Sequence, residues 1–188
     1  GVGHVASQTP APGKTDAKLP VALWIHGGGY REGWGSEPEF DAQEWAAKGV
    51  VLVSINYRLG VFGFLTHPEL SAESPHGVSG NYGILDQIES LKWIQKNIEQ
   101  FGGDPANVMI FGQSAGAGSV KTVCESPLSK GLFNKAVIMS GGGITNPNAV
   151  AAAPGRGGMG RGAMTLAEAE QATKKIMDWA GYDSLEKM

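Results

Sequence analysis

The sequence has a single cysteine, Cys124, in 188 residues, which excludes an intrachain disulfide and a cysteine-based zinc site. It also lacks a basic excess, because 15 Lys and Arg stand against 18 Asp and Glu for a net charge of −3. A nucleic-acid-binding surface is therefore not expected. No apolar run approaches the ~18 residues that a membrane span requires. With 41% hydrophobic residues, the chain is expected to fold around one packed core.

Residues 1–18 are predicted to form a tail or a linker. They are mostly polar, contain Pro10 and Pro12, and show no apolar period. They also lack the basic start, apolar centre and small-residue cleavage site of a secretory signal peptide. The segment is interpreted either as a linker or as the place where a longer protein was cut.

From residue 19 to residue 143 the pattern is that of an α/β protein. Short, continuously apolar runs alternate with helical segments, as in a mostly parallel sheet covered by helices on both faces. The predicted strands are Val21–Ile25, Val50–Ile55, Asn107–Gly112 and Lys135–Ser140. The predicted helices are Pro38–Lys48, Asn81–Phe101 and Ala115–Cys124. These strands are too apolar to face water at a sheet edge, so the isolated chain is expected to aggregate or associate.

Glycine is unusually frequent, at 29 residues. Residues 144–164 form a glycine-rich segment, which is predicted to be flexible because it has little apolar area to offset the entropy of ordering. Residues 165–188 are predicted to be helical: Thr165 and Glu168 form a capping box, and Gly181 ends the helix. The apolar face of this helix is predicted to carry Leu166, Ala169, Ile176 and Met177.

Residues 112–116 read Gly-Gln-Ser-Ala-Gly and fit the G-x-S-x-G pattern of a nucleophile elbow. An apolar strand precedes the pattern and a helix of small residues follows it, as the elbow requires. The sharp turn would hold Ser114 in a strained conformation, with its hydroxyl above the carboxyl end of the sheet. The N–H of Ala115 would then face a developing oxyanion. Ser114 is therefore the candidate nucleophile, and the competing interpretation is a chance match to a short motif.

Residues 26–30 read His-Gly-Gly-Gly-Tyr and directly follow the first predicted strand. Glycines leave backbone N–H groups uncovered, and each such donor can contribute about 3 kcal/mol to an oxyanion-like transition state. The alternative, a phosphate-binding loop, lacks a lysine and a Ser/Thr at the required spacing. A second pattern, Gly155-x-Gly157-x-x-Gly160, matches a dinucleotide fingerprint but follows no strand, so it is not expected to bind a cofactor.

The other titratable candidates are interpreted as structural. His26 leads the glycine loop and is expected to make a structural hydrogen bond, with a general-base role as the alternative. His4, His67 and His76 lie in polar segments and are expected at the surface. Asp86, near the start of the long helix, is expected to serve packing or the helix dipole rather than catalysis.

Several separate segments resemble the type-B carboxylesterase family, the branch of the α/β-hydrolases that includes the cholinesterases. They are LPVALWIHGGGY (19–30), VSINYRLGVFGFL (53–65), GNYGILDQ (80–87), WIQKNIEQFGGDPANVMIFGQSAGAGSV (93–120) and AVIMSGG (136–142). Together they extend over about two thirds of the chain, from residue 19 to residue 143. Their order and spacing make the resemblance specific.

The resemblance implies the α/β-hydrolase fold and hydrolysis of a small-molecule ester through an acyl-enzyme, without a metal or a cofactor. It implies that Ser114 is the nucleophile and that the N–H groups of Gly28, Gly29 and Ala115 form the oxyanion hole. The sequence leaves the compartment open, and the resemblance is compatible with a secreted or periplasmic location.

The chain departs from the family pattern in two ways. Gln113 precedes the serine where the family often has glutamate, which removes a charge near the reacting group. More importantly, α/β-hydrolases place an acid and then a histidine after the serine, but no histidine follows Ser114 in this sequence. The chain is therefore interpreted as the central piece of a longer esterase. The acid and the histidine are expected on a companion chain or on a missing C-terminal segment.

The competing function is a catalytically inactive, esterase-like module for recognition or cell adhesion. Such a module has no need of a serine at the elbow, whereas this sequence keeps both Ser114 and the full glycine loop. Hydrolysis is therefore the favoured function, and assay of a short p-nitrophenyl ester separates the two hypotheses.

Overall fold

The computed structural model describes residues 5–6, 16–141 and 164–187. The chain divides into two compact units, each built from two stretches of sequence. The first unit comprises Gly1–Gly63 and Gly83–Gly143, and the second comprises Phe64–Tyr82 and Ile144–Met188. Residues 64–82 interrupt the α/β core in sequence but belong to the same unit as the C-terminal helix.

A five-stranded sheet in the order β1-β3-β2-β4-β5 forms the centre of the first unit. Its strands are β1 (Val5–Ala6), β2 (Leu19–Ile25), β3 (Val51–Ser54), β4 (Gly103–Gln113) and β5 (Lys135–Met139). Neighbouring strands from β3 to β5 are parallel, which confirms the four strands and the parallel sheet expected from the apolar runs. The prediction that residues 1–18 form a tail or a linker is wrong at β1, which pairs antiparallel with β3. The sequence did not indicate this strand because two residues are too few to show a hydrophobic period.

The helices are α1 (Ala42–Ala47), α2 (Gly60–Phe64), α3 (Pro68–Glu73), α4 (Tyr82–Asn97), α5 (Ala115–Glu125) and α6 (Leu166–Ala180). Within the described residues, short 3-10 turns cover Pro38–Phe40, Ile98–Phe101, Pro127–Ser129 and Leu185–Lys187. The single predicted helix at 38–48 is divided, because Asp41 is extended and its carboxylate caps the N-terminus of α1 through the N–H of Gln43. The helix predicted at 81–101 is α4 followed by the 3-10 turn Ile98–Phe101, and that turn ends at Gly102 with a φ of 77°. Helices α2 and α3 were not predicted.

Strand β2 is buried on both faces, which explains its continuous apolar run. On one face the Trp24 ring stacks on Phe40, with ring centroids 3.5 Å apart, and also contacts Phe111. Val21, Leu23 and Ile25 alternate onto the other face and are at most 1% exposed. The described part of the chain thus has a parallel sheet flanked by helices, as the sequence predicts.

The two outer edges of the sheet differ. The edge of β3 is covered by β1, as its apolar character requires. Strand β5 is mostly exposed, with Val137 42% and Ile138 46% exposed. Within the described residues no further strand pairs with β5. Association of the isolated chain stays a prediction, and β5 is the edge at which it would occur.

The register brings the carboxyl ends of three strands together. Ile25 at the end of β2 is opposite Gly112, and Gln113 at the end of β4 is opposite Met139. In a parallel sheet the loops that follow such strands emerge at the same edge. The glycine loop after β2 and the serine after β4 are therefore neighbours.

In the second unit, α6 begins with the predicted capping box, in which Thr165 and Glu168 bond to each other's backbone N–H groups. The Glu170 carboxylate accepts a 2.5 Å hydrogen bond from Ser71 of α3. Met177 is buried as predicted, but Ile176 is 66% exposed, so its placement on the same face is wrong. Adjacent helical residues differ by about 100° in direction, and α6 buries the face of Met177 instead.

Candidate active site

Ser114 lies at a sharp turn between the last residue of β4 and the first residue of α5. Its backbone has a φ of 57° and a ψ of −118°, which is a strained region for a residue with a side chain. Its N–H donates to the Met139 carbonyl at 3.0 Å, and its carbonyl accepts the N–H of Gly118 at 3.1 Å. The strained strand-to-helix turn that the motif predicts is therefore confirmed, and two hydrogen bonds hold it.

The elbow requires glycine where α5 approaches the end of β2. A Cβ added at Gly116 would lie 2.1 Å from the Ile25 carbonyl oxygen and 2.8 Å from that of His26. At Gly112 it would lie 2.6 Å from the Gly116 backbone. These contacts are with backbone atoms, which cannot rotate away. The motif glycines therefore allow the serine-bearing turn to pack directly against the strand that precedes the glycine loop.

The glycine loop runs beside the serine. A Cβ added at Gly27 would lie 2.9 Å from the Gln113 carbonyl oxygen and 3.4 Å from the Cβ of Ser114. Gly28 has a φ of 97°. Its carbonyl accepts the N–H groups of Arg31 and Glu32, and these two hydrogen bonds close the turn. The structure thus brings together two motifs that are far apart in the sequence, at residues 26–30 and 112–116.

Three backbone donors in this region have no internal partner. Within the described part of the chain, the N–H groups of Gly28, Gly29 and Ala115 make no hydrogen bond. Gly28 and Gly29 belong to the loop, and Ala115 is the first residue of α5, where helical N–H groups have no acceptor of their own. Unpaired donors beside a half-buried serine can hydrogen-bond a negatively charged oxygen.

His26 fixes the start of the glycine loop. Its side chain is fully buried, and its Nδ1–H donates to the Gly27 carbonyl at 2.8 Å. The ring stacks on Tyr57 with centroids 4.4 Å apart, and the Tyr57 hydroxyl donates to the His26 carbonyl at 2.9 Å. Burial lowers the pKa of His26, so the neutral ring is favoured. The structural hydrogen bond expected from the sequence is confirmed.

The surface positions expected for the remaining histidines are only partly confirmed. His67 is only 7% exposed, so its expected surface position is wrong. The reason is that it caps α3: its Nδ1 accepts the N–H of Glu69, and its backbone N–H donates to the Ser79 hydroxyl. His76 is exposed as predicted, and His4 lies outside the described residues. The glycine pattern at 155–160 also lies outside them.

Asp86, in the first turns of α4, binds Arg58 of the loop after β3. Its carboxylate accepts the backbone N–H of Arg58 at 2.9 Å and the guanidinium at 2.7 Å. Partial burial by itself would raise the pKa of Asp86, but the hydrogen bonds and charge of Arg58 outweigh burial and lower it. The sequence did not predict this partner, since the two residues are far apart in the chain.

The lowered pKa of Asp86 predicts how stability depends on pH. Because the native pKa lies below the unfolded value of about 3.9, the carboxylate stabilises the fold above that pH and ceases to do so as pH falls through the native pKa. We expect Asp86→Asn to lower the free energy of unfolding near neutral pH, and the deficit to shrink below about pH 4. Urea unfolding from pH 3 to 7 measures it. Glu89→Gln, an exposed carboxylate of α4, is the control, and a pH-independent deficit would contradict the prediction.

Neither a metal centre nor a membrane span is visible in the described ranges. In residues 5–6, 16–141 and 164–187, no three His, Cys, Asp or Glu side chains are grouped so that they could hold a metal ion. Among the helices of these ranges, none has the length and apolar character needed to cross a bilayer. Cys124 is exposed and unpaired within them.

Comparison with known proteins relates the chain to esterases. The sequence model described as the carboxylesterase family matches residues 7–183. The fumonisin B1 esterase of Sphingopyxis macrogoltabida is 53% identical over 66% of this chain, and the para-nitrobenzyl esterase of Bacillus subtilis (strain 168) is 48% identical over 72%. The chain covers 23% and 27% of the lengths of these two relatives.

Solved structures give the same relationship. A thermophilic pNB esterase superimposes with a TM-score of 0.70 at 40% identity, over 88% of this chain and 30% of its own. Juvenile hormone esterase from Manduca sexta, solved with OTFP covalently attached, gives a TM-score of 0.68 at 31% identity, over 94% of this chain and 28% of its own. By both sequence and fold, this chain belongs to the carboxylesterase family and has the α/β-hydrolase architecture.

Proposed function

We propose that this chain supplies the nucleophile and the oxyanion hole of a serine carboxylic-ester hydrolase. The observation that carries the proposal is the strained Ser114 backbone beside three unpaired N–H donors, on Gly28, Gly29 and Ala115. Strain of this kind persists only where the surrounding structure enforces it, and it is concentrated at functional sites. The esterase names of the relatives support the same reaction.

In the proposed reaction, the Ser114 hydroxyl attacks the ester carbonyl while a histidine takes its proton. The carbonyl oxygen becomes an oxyanion and is hydrogen-bonded by the three N–H groups. The alcohol leaves with the proton, and water then attacks the acyl-enzyme to release the acid and restore the serine. No step requires a metal or a cofactor.

The proton acceptor is proposed to come from outside this sequence. No histidine follows Ser114, and the ring of His26 is fully buried with Nδ1 bonded to Gly27. A triad base must lie within about 2.6–3.2 Å of the serine hydroxyl. We propose that an acid and a histidine on a companion chain, or on a further C-terminal segment, complete the triad. The chain's coverage of about a quarter of its curated relatives is compatible with this division.

A fluorophosphonate probe tests the proposed nucleophile. We expect the whole folded protein to be labelled at Ser114 and the denatured protein to remain unlabelled, because only an activated serine reacts. Ser140 is the internal comparison: it is exposed, whereas Ser114 is half-buried, so exposure alone would favour Ser140. Peptide mass spectrometry locates the adduct. Labelling of Ser140 alone, or of neither serine in the folded protein, would contradict the proposal.

The alternative, an inactive recognition module, is not supported by the relatives, whose names are those of esterases. Hydrolysis of a short p-nitrophenyl ester by the whole protein distinguishes the two functions. An inactive module would show no turnover.

A further inference from the structure

Tyr30, the last residue of the glycine loop, is hydrogen-bonded through its side chain to α5, the helix that follows Ser114. Its backbone has a φ of 62°, which is unusual for a residue with an aromatic side chain. Its carbonyl accepts the N–H of Gly60 at 2.7 Å, and its hydroxyl is hydrogen-bonded to that of Ser119 in α5. A Cβ added at Gly118 would lie 2.5 Å from the Tyr30 hydroxyl, so glycine is what lets the phenol approach α5.

Ser119 connects this tyrosine to a third element. Its side chain is fully buried, and its hydroxyl accepts the Nε2–H of Gln87 of α4 at 3.0 Å. Gln87 is also fully buried, and its Oε1 has no partner among the described residues. We call these three residues the Tyr30–Ser119–Gln87 network. It joins the glycine loop, the elbow helix and the long helix α4 through side chains alone.

A buried serine in a helix does not ordinarily require such partners. Helical Ser and Thr hydroxyls can bond the carbonyl four residues earlier, as Thr122 of α5 does with the Gly118 carbonyl. Ser119 instead bonds two side chains from other elements. Buried polar groups are costly unless they are paired, and apolar side chains of similar volume would pack there at less cost. The network is therefore better explained by the geometry it imposes than by the stability it provides.

We infer that Ser119 is a positioning residue for the reaction proposed above, holding the glycine loop in register with Ser114 through Tyr30. The inference rests on the proposed function. Because Tyr30 follows Gly29 directly, the position of its ring restrains the positive-φ backbone of Gly28 and Gly29, whose N–H groups would bind the oxyanion. Ser119 is in the same helix as Ala115, the third donor. One hydroxyl thus couples the two sides of the oxyanion hole.

The inference predicts a specific kinetic change. In Ser119→Ala the Tyr30 hydroxyl loses its hydrogen bond to residue 119, so the N–H groups of Gly28 and Gly29 are held less precisely. Their position matters most in the transition state, when negative charge develops on the carbonyl oxygen of the ester. We expect kcat for a p-nitrophenyl ester to fall by about 10- to 100-fold, with KM changed by less than about 3-fold. Tyr30→Phe should give the same pattern. The double variant should fall no further than the single ones, because both remove one connection.

Ser129→Ala is the matched control. Ser129 is also a buried serine, in the 3-10 turn that follows α5, where its hydroxyl donates to the carbonyls of Val123 and Ser126. Its removal costs a comparable buried hydrogen bond without touching the loop. If Ser119→Ala and Ser129→Ala lower stability alike but only the first lowers kcat, the positioning role is supported. Equal kcat losses in both, or a double variant with multiplied losses, would overturn it.

The position of the glycine loop can also be measured by NMR, independently of turnover. In the ¹H–¹⁵N spectrum of the protein, the amide signals of Gly28, Gly29 and Tyr30 should shift or broaden in Ser119→Ala and not in Ser129→Ala. If the wild-type protein neither hydrolyses esters nor reacts with the fluorophosphonate, the proposed function fails, and these amide signals alone decide whether Ser119 holds the loop. Unchanged amide signals in Ser119→Ala would overturn the inference even in an active enzyme.

Discussion

Replacing Ser114 with alanine is expected to lower kcat for ester hydrolysis by about 10⁶-fold in the whole protein, leaving only the contribution of the oxyanion hole and binding. In the proposed reaction the Ser114 hydroxyl forms the acyl-enzyme, so no neighbouring group would replace it. The fold should persist, because Ser114 is half-buried and its two hydrogen bonds are made by its backbone. Circular dichroism and hydrolysis of a p-nitrophenyl ester, measured on the same preparation, check both parts.

A glycine at the same position separates loss of the nucleophile from loss of structure. With a φ of 57°, residue 114 is strained for any residue except glycine, so Ser114→Gly should be inactive but more stable by about 1 kcal/mol. Ser126→Ala, which removes a hydroxyl at the other end of α5, is the control for activity. Retention of more than about 1% of activity in Ser114→Ala would show that the serine is not the nucleophile.

Gly116→Ala is expected to lower the free energy of unfolding by about 3 kcal/mol or more, although alanine is ordinarily favoured over glycine inside a helix by about 1 kcal/mol. The steric clash lowers the free energy of unfolding, whereas the helix preference of alanine raises it. The sign of the measured change therefore shows which of the two is larger. The added Cβ would lie 2.1 Å from the Ile25 carbonyl oxygen, well inside the contact distance of real Cβ atoms. Since that neighbour is backbone, the elbow or the end of β2 has to move.

The control is Gly131→Ala, at a position with a φ of 81° and no atom within 4 Å of the added Cβ. It carries the backbone strain of a non-glycine residue without a clash, and should cost about 1–2 kcal/mol. Urea unfolding of the variants measures the difference, and ester hydrolysis in Gly116→Ala should fall as well because the turn carries Ser114. Equal or greater stability for Gly116→Ala would mean that the helix accommodates a side chain there.

Both predictions depend on a site whose two halves are recognisable in the sequence. The G-x-S-x-G pattern specifies a local turn, and the structure confirms its strained Ser114 and its close-packed glycines. The His-Gly-Gly-Gly-Tyr loop is equally local, since positive φ at Gly28 and Gly29 is a property of the residues themselves. That the two halves meet was implied only by the family resemblance, which assigns Gly28, Gly29 and Ala115 to one oxyanion hole; in the structure the parallel strands place the two loops at one edge of the sheet.

The sequence was less informative where a partner lies on another element. The burial of His67, the ion pair of Asp86 with Arg58 and the exposure of Ile176 were mispredicted or missed. Each depends on which segment packs against the residue, and residue type and spacing do not encode this. The two-residue strand Val5–Ala6 could not be predicted for the same reason, because it is defined only by its pairing with β3.

The sequence by itself determined the elements that depend on nearby residues: four apolar strands, the long helix, the stop at Gly102, the capping box at Thr165, and the two glycine-containing turns. The tertiary structure alone decided the Tyr30–Ser119–Gln87 network and the exposure of β5. The physical reason is the range of the interactions. Backbone preference and hydrophobic period act over a few residues, whereas the partner of a buried hydroxyl is fixed only when three separate elements pack together.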